Sequence, residues 1–149
     1  MNARSLLVAV ALVGCAREAP QAPADAPEDV AAVRSVFLTW SRYATTGKYD
    51  SLSTLAAPEW VLIEAGRRFS LPELVDVIKS FHADSIIEHI DTTTIHTGDR
   101  LGYVVYAAHA TIWSSGKQTP EREMGTVVLE RAAGGWRVAV MTATAPAGM

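Results

Sequence analysis

Hydrophobic and polar positions alternate with period two across the C-terminal third of the chain, and that alternation predicts three β-strands. Over Leu101–Trp113 one parity is Gly102, Val104, Tyr106, Ala108, Ala110 and Ile112, almost wholly apolar and mostly small; the other parity is mixed. Over Met124–Glu130 the apolar parity is Gly125, Val127 and Leu129, and over Trp136–Ala143 it is Trp136, Val138, Val140 and Thr142. Successive side chains on a strand point to opposite faces, so the three sets line one face of one antiparallel sheet. Glycine and alanine on that face leave room between the sheet and whatever covers it. The pattern therefore predicts a curved sheet with a hollow on its inner side.

The preceding residues switch to helical spacing. Asp25-Ala26-Pro27-Glu28 reads as a helix start with Asp25 as N-cap, and Val30, Val33, Phe37, Trp40 and Ala44 then recur at intervals of three and four. Gly47 closes this helix in a left-handed C-cap. Asp50 caps a short second helix carrying Leu52 and Leu55, stopped before Pro58. Trp60–Glu64 is a short β run, and Gly66-Arg67-Arg68 is a turn. Ser70-x-x-Glu73 is a capping box opening a third helix with Leu74, Val75, Ile78 and Phe81 inward. Ser85–Thr97 is a strand, turned into Leu101 by Gly98-Asp99-Arg100. Gly116 and Pro120 break the next connection, and Gly134-Gly135 the last. Helices first and strands afterwards argue α+β, with the helices on one face of the sheet.

The N-terminus lies outside this pattern. Arg4 is a short basic region, Leu6–Val13 an apolar run too short to span a bilayer, and Leu12-Val13-Gly14-Cys15 follows directly. This stretch resembles the lipobox of bacterial lipoproteins, which implies removal of residues 1–14, lipidation of Cys15, and a place in the bacterial cell envelope facing away from the cytoplasm. Cys15 is the single cysteine of the chain, so it has no intramolecular disulfide partner. Residues 15–26 read as the lipidated cysteine and an Ala/Pro-rich tether, and residues 27–149 as one globular domain. The formal net charge is −3 with no basic stripe, which argues against a nucleic-acid partner.

The order of elements, with Thr46-Gly47-x-x-Asp50, Glu59-Trp60, Gly98-Asp99 and Gly135-Trp136-Arg137-Val138, resembles the nuclear transport factor 2-like domains, including SnoaL-like proteins and ketosteroid isomerases. The resemblance implies a cone: a strongly curved antiparallel sheet wrapped around the long N-terminal helix, with a pocket between them. It also places the general-base carboxylate of the steroid isomerases at Glu64. A carboxylate in an apolar cleft titrates nearer neutrality, as proton transfer requires; the other reading of Glu64 is a strand-end residue turned to solvent beside Arg67 and Arg68. The isomerases' oxyanion donors fall at Trp40, whose indole gives one N–H, and at Val127, which gives none. Where SnoaL-like relatives carry histidine on the last strand, this chain has Val140 and Thr142.

Trp40, Trp60, Phe69, Tyr106 and Trp136 read either as a ligand cage or as core. With Glu64, Val127, Val140 and Thr142, the first four make the expected pocket. His89, His109 and Asp91 share one face, but it is the mixed outer face, and no metal or cofactor is expected. Leu101, Tyr103, Val105, Trp113, Met124, Val128 and Met141 give that outer face many large apolar groups, which predicts a homodimer with Trp113 and Met141 near its centre and His109 close by. The expected function is a non-catalytic module that binds a small apolar molecule or a partner at the envelope; the alternative is an isomerase-like enzyme using Glu64.

Overall fold

Helix α1, Pro27–Thr45, is the axis on which the domain is laid; the computed structural model describes residues 25–144. The expected signal sequence, Cys15 and most of the expected tether lie outside the described residues. After α1 come α2 (Tyr49–Leu52), β1 (Ala56–Glu64), β2 (Arg67–Phe69), α3 (Leu71–Ser80), β3 (Ser85–Thr97), β4 (Leu101–Ser114), β5 (Lys117–Ala132) and β6 (Gly135–Thr144). The strands form one six-stranded sheet in the order β2-β1-β6-β5-β4-β3. This is the expected α+β architecture, a curved sheet with α1 packed on its inner face.

The sheet departs from the all-antiparallel expectation at one ladder, where β1 runs parallel to β6. The predicted turn at Gly66-Arg67-Arg68 is instead a two-residue turn, Ala65-Gly66, both at positive φ, followed directly by β2. β5 begins seven residues earlier than expected and includes Pro120. Among the described residues this part of β5 has a neighbouring strand only on the β4 side, which accommodates the proline.

Both ends of α1 are fixed by local chemistry. Gly47 takes φ +72°, and Lys48 N–H reaches back to the Tyr43 carbonyl at 2.9 Å, closing the helix as the sequence predicts. At the other end Ala26, not Asp25, occupies the N-cap position. The Asp25 carboxylate instead accepts the Thr97 amide at 2.6 Å and faces His96 Nδ1 at 3.1 Å, tying the start of the helix to the end of β3. Likewise Asp50 lies inside α2, whose N-cap is Lys48. The capping box of α3 forms as predicted, with Ser70 N–H donating to the Glu73 carboxylate at 2.7 Å.

The inward parity holds along β4 and most of β5. Val104, Leu129 and Val138 are fully buried with Val33 of α1, and Tyr106, Ala108, Val127 and Trp136 join the same core. It fails in β6. Val128 pairs with Val140 but Leu129 pairs with Val138, so Ala139 is an extra residue in the ladder. A one-residue bulge reverses every side chain beyond it. Val140 and Thr142, expected in the pocket, therefore share the outer face of Val128 and Thr126. Met141, expected at the centre of the outer face, lines the interior with Ala143. A second bulge at Asp91 shifts β3 against β4 and sets His89 opposite His109.

Candidate functional site

A hollow lies at the C-terminal end of α1, but Gly102, Ala108, Ala110 and Gly125, from which one was predicted, are not on its wall. It is an open cavity of about 250 Å³ bordered by α1, α3 and the inner faces of β1, β3, β4, β5 and β6. Phe37, Trp40, Leu62, Leu74, Ile78 and Ile112 supply much of its apolar wall. Ala44 and Ala143 line it as well, and Ala108 faces inward nearby. A wider outer hollow of about 480 Å³ shares Glu64, Phe81, Glu88, Ile112 and Glu123 with it, and adds His109 and Arg122 at the rim.

Two polar pairs reach into this apolar space. Tyr106 O–H donates to Glu123 Oε1 at 2.5 Å, and Ser41 O–H donates to Glu88 Oε2. Burial pushes the Glu88 carboxyl above its ordinary range, and the Glu123 charge acts in the same direction while the Ser41 hydrogen bond opposes it. Burial, reinforced by the adjacent Glu123 carboxylate, drives the Tyr106 phenol far above its usual value, so it remains a neutral donor. Tyr106 owes its position to Gly125, the residue directly opposite on β5. A Cβ there would lie 2.8 Å from the tyrosine ring and 2.4 Å from the Thr142 carbonyl oxygen. Only glycine lets the ring lie across β5 and reach Glu123.

Of the expected pocket residues, Trp40, Glu64 and Tyr106 line the cavity. Glu64 is solvent-exposed at the mouth and is not enclosed in an apolar cleft. Trp60 is buried and stacks on Trp40 with ring centroids 5.5 Å apart, but it faces a different, outer depression, and its indole N–H has no partner among the described residues. Phe69 is half-buried under the Arg67 guanidinium, 4.7 Å from its ring centre. Val127 is sealed in the core, and Trp136 packs at the far end beneath Arg131. The aromatic set is thus divided: Trp40 and Tyr106 belong to the cavity, and the other three to packing.

Ser41, Glu88 and Glu123 were not anticipated. Glu88 has a legible signal, since it shares its parity with Ile86 and Ile90, which also line the cavity. Glu123 was hidden because the expected strand began one residue after it. On the outer face, His89 and His109 stack at 5.1 Å, and His109 Nδ1 lies 2.7 Å from Asp91 Oδ1. Among the described residues no group of three histidine, cysteine, aspartate or glutamate side chains is arranged to hold a metal ion.

A family model for the SnoaL-like domain matches residues 33–147. The chain belongs to the SnoaL-like domain family. No curated protein sequence matches it. Among solved structures, this SnoaL-like domain is similar to an NTF2-like protein with a cystatin-like fold from Novosphingobium aromaticivorans (17% identity, TM-score 0.69, covering 82% of this chain and 84% of that one). It is also similar to a candidate dehydratase of the NTF2-like family from Streptomyces avermitilis (13%, TM-score 0.72, 81% and 98%). A third similar structure is an NTF2-like protein of unknown function from Pseudomonas putida (14%, TM-score 0.70, 84% and 92%). At these identities the likeness establishes the NTF2-like fold and leaves function to be argued from the SnoaL-like domain's own cavity.

Proposed function

We propose that this protein is an envelope-anchored lipoprotein whose SnoaL-like domain holds a small molecule in the cavity beside α1, without catalysing its conversion. The observation that carries the reading is the cavity: apolar walls with a few fixed polar groups are the usual make-up of a small-molecule site. The exposed position of Glu64 at the mouth supports a binding role over a steroid-isomerase-like one, because desolvation is what would raise a general base toward neutrality. Anchoring rests on Leu12–Cys15; no helix among the described residues is long and apolar enough to cross a membrane. Association through the outer sheet face is supported by Leu101, Tyr103, Val105, Trp113 and Met124, all exposed.

One observation favours a second reading. Glu88, a carboxyl raised by burial inside an apolar cavity, has the property that acid–base catalysis uses. In that reading Glu88, and not Glu64, would carry proton transfer.

Native mass spectrometry of the full chain purified from its own envelope separates these. The binding reading predicts a defined small-molecule mass on the folded protein, recovered unchanged after release. Ligand-free protein in every preparation, or a released compound that the protein itself transforms, would contradict it.

A further inference from the structure

The hydrogen-bond inventory of the cavity restricts the chemistry of its ligand. Each hydroxyl on the wall that faces a carboxylate has one proton, and both protons are engaged: Tyr106 gives its proton to Glu123, and Ser41 gives its proton to Glu88. Thr45 also lines the space, and its hydroxyl donates back to the Ser41 carbonyl at 2.9 Å. When Glu88 is ionised, what remains is acceptor capacity: the second oxygens of Glu88 and Glu123, and the carboxylate of Glu64 at the mouth. Among the described residues, no lysine, arginine or histidine lies on the wall of the inner cavity. His109 and Arg122 line only the outer hollow.

Three carboxyl groups thus border one apolar space with no cation from the described residues inside it. A neutral ligand with one donor would match at most one of those acceptors, and an anion would face like charges beside an apolar wall. An ammonium group brings both missing elements, a countercharge and several donors. The rings of Phe37, Trp40, Tyr106 and Phe81 also border the cavity, and aromatic faces favour cations. We infer that the cavity selects a primary amine carried on a compact apolar body, with the ammonium between Glu88 and Glu123 and the apolar part against Trp40 and α3. This rests on the binding reading above and names the class of ligand for that same site.

The test is calorimetric titration of the full chain at neutral pH with three probes of one shape: phenethylamine, phenethyl alcohol and hydrocinnamate. The amine, charged like a lysine side chain at this pH, should bind about tenfold or more tighter than the alcohol, a difference of about 1.4 kcal/mol, and the carboxylate should not bind. Glu123→Gln should weaken the amine about tenfold and so remove its preference over the alcohol. Glu64→Gln, at an exposed position where folding is not at risk, should weaken amine binding by a smaller factor. Equal binding of amine and alcohol, or tightest binding of the carboxylate, would overturn the inference while leaving a small-molecule site in place. No binding of any probe, by a protein that also carries no ligand in native mass spectra, would remove both.

Discussion

The two ends of α1 meet the same sheet on different terms. At the N-terminal end Val33 packs with Val104, Leu129 and Val138, all four with no exposed surface. Asp25 bonds the Thr97 amide, and Asp29 accepts from Arg131 and from the Trp136 indole at 3.4 Å. At the C-terminal end the sheet presents alanines, and α3 covers the gap without a single fully buried residue; Phe81, just beyond it, is 58% exposed. Interiors close-pack wherever side-chain volume allows. One end therefore serves as framework, and the other keeps a space bordered by carboxyl groups.

Changes at the closed end should have the largest effect on stability. Leu129→Ala removes a fully buried side chain where the surroundings have little freedom to collapse, and should cost roughly 2–5 kcal/mol in denaturant unfolding. A loss below about 1 kcal/mol would mean the two ends are packed alike. Gly125→Ala is next, because it tests the boundary between the ends. Its methyl would collide with the Thr142 carbonyl and the Tyr106 ring, so roughly 1–3 kcal/mol should be lost together with the Tyr106–Glu123 hydrogen bond.

How much of this was legible depended on whether a signal was local. Capping chemistry at Ser70–Glu73, the left-handed Gly47 and the alternation of β4 each lie within one segment, and each was readable. The bulge at Ala139 was not. Nothing in Trp136–Ala143 marks one residue as extra, because alternation continues through it and only the pairing with β5 reveals the shift. That single residue moved Val140 and Thr142 out of the expected pocket and Met141 into it. Asp25 was misread for a similar reason: its partner, Thr97, is 72 positions away. A hollow was expected from Gly102, Ala108, Ala110 and Gly125, but none of these lines the cavity: Val33 and Trp136 lie against Gly102, and Tyr106 against Gly125. The cavity's polar pairs, Ser41–Glu88 and Tyr106–Glu123, join residues from different elements and appear only on folding.

A smaller effect should separate the ends by pH. Glu88 holds its proton more tightly when folded, because burial raises its pKa. The stability this contributes is present below the ordinary glutamate value of 4.5 and is lost as pH rises through the raised folded value. Glu88→Gln should flatten that decline, measured by denaturant unfolding across the acidic range. A Glu88→Gln protein with the same pH profile as the parent would place Glu88 in water and not in the cavity.

The outer face should contribute least to the fold itself. Trp113→Lys should leave unfolding within about 0.5 kcal/mol at a fixed protomer concentration too low for pairing. In analytical ultracentrifugation it should turn a dimer into a monomer. A parent protein that stays monomeric to about 100 μM would exclude a stable dimer through this face.

The contrast between the two ends reduces to whether the space beside α1 is a binding site. Ala44→Phe places a ring in that space from α1, away from the closed end. Titrating phenethylamine into the parent and into Ala44→Phe is the most direct measurement. Heat of binding in the parent, and none in a variant whose unfolding midpoint is at or above the parent's, is the predicted result. Equal binding by both proteins would show that the amine sits elsewhere, and the cavity would then be only an imperfection of packing.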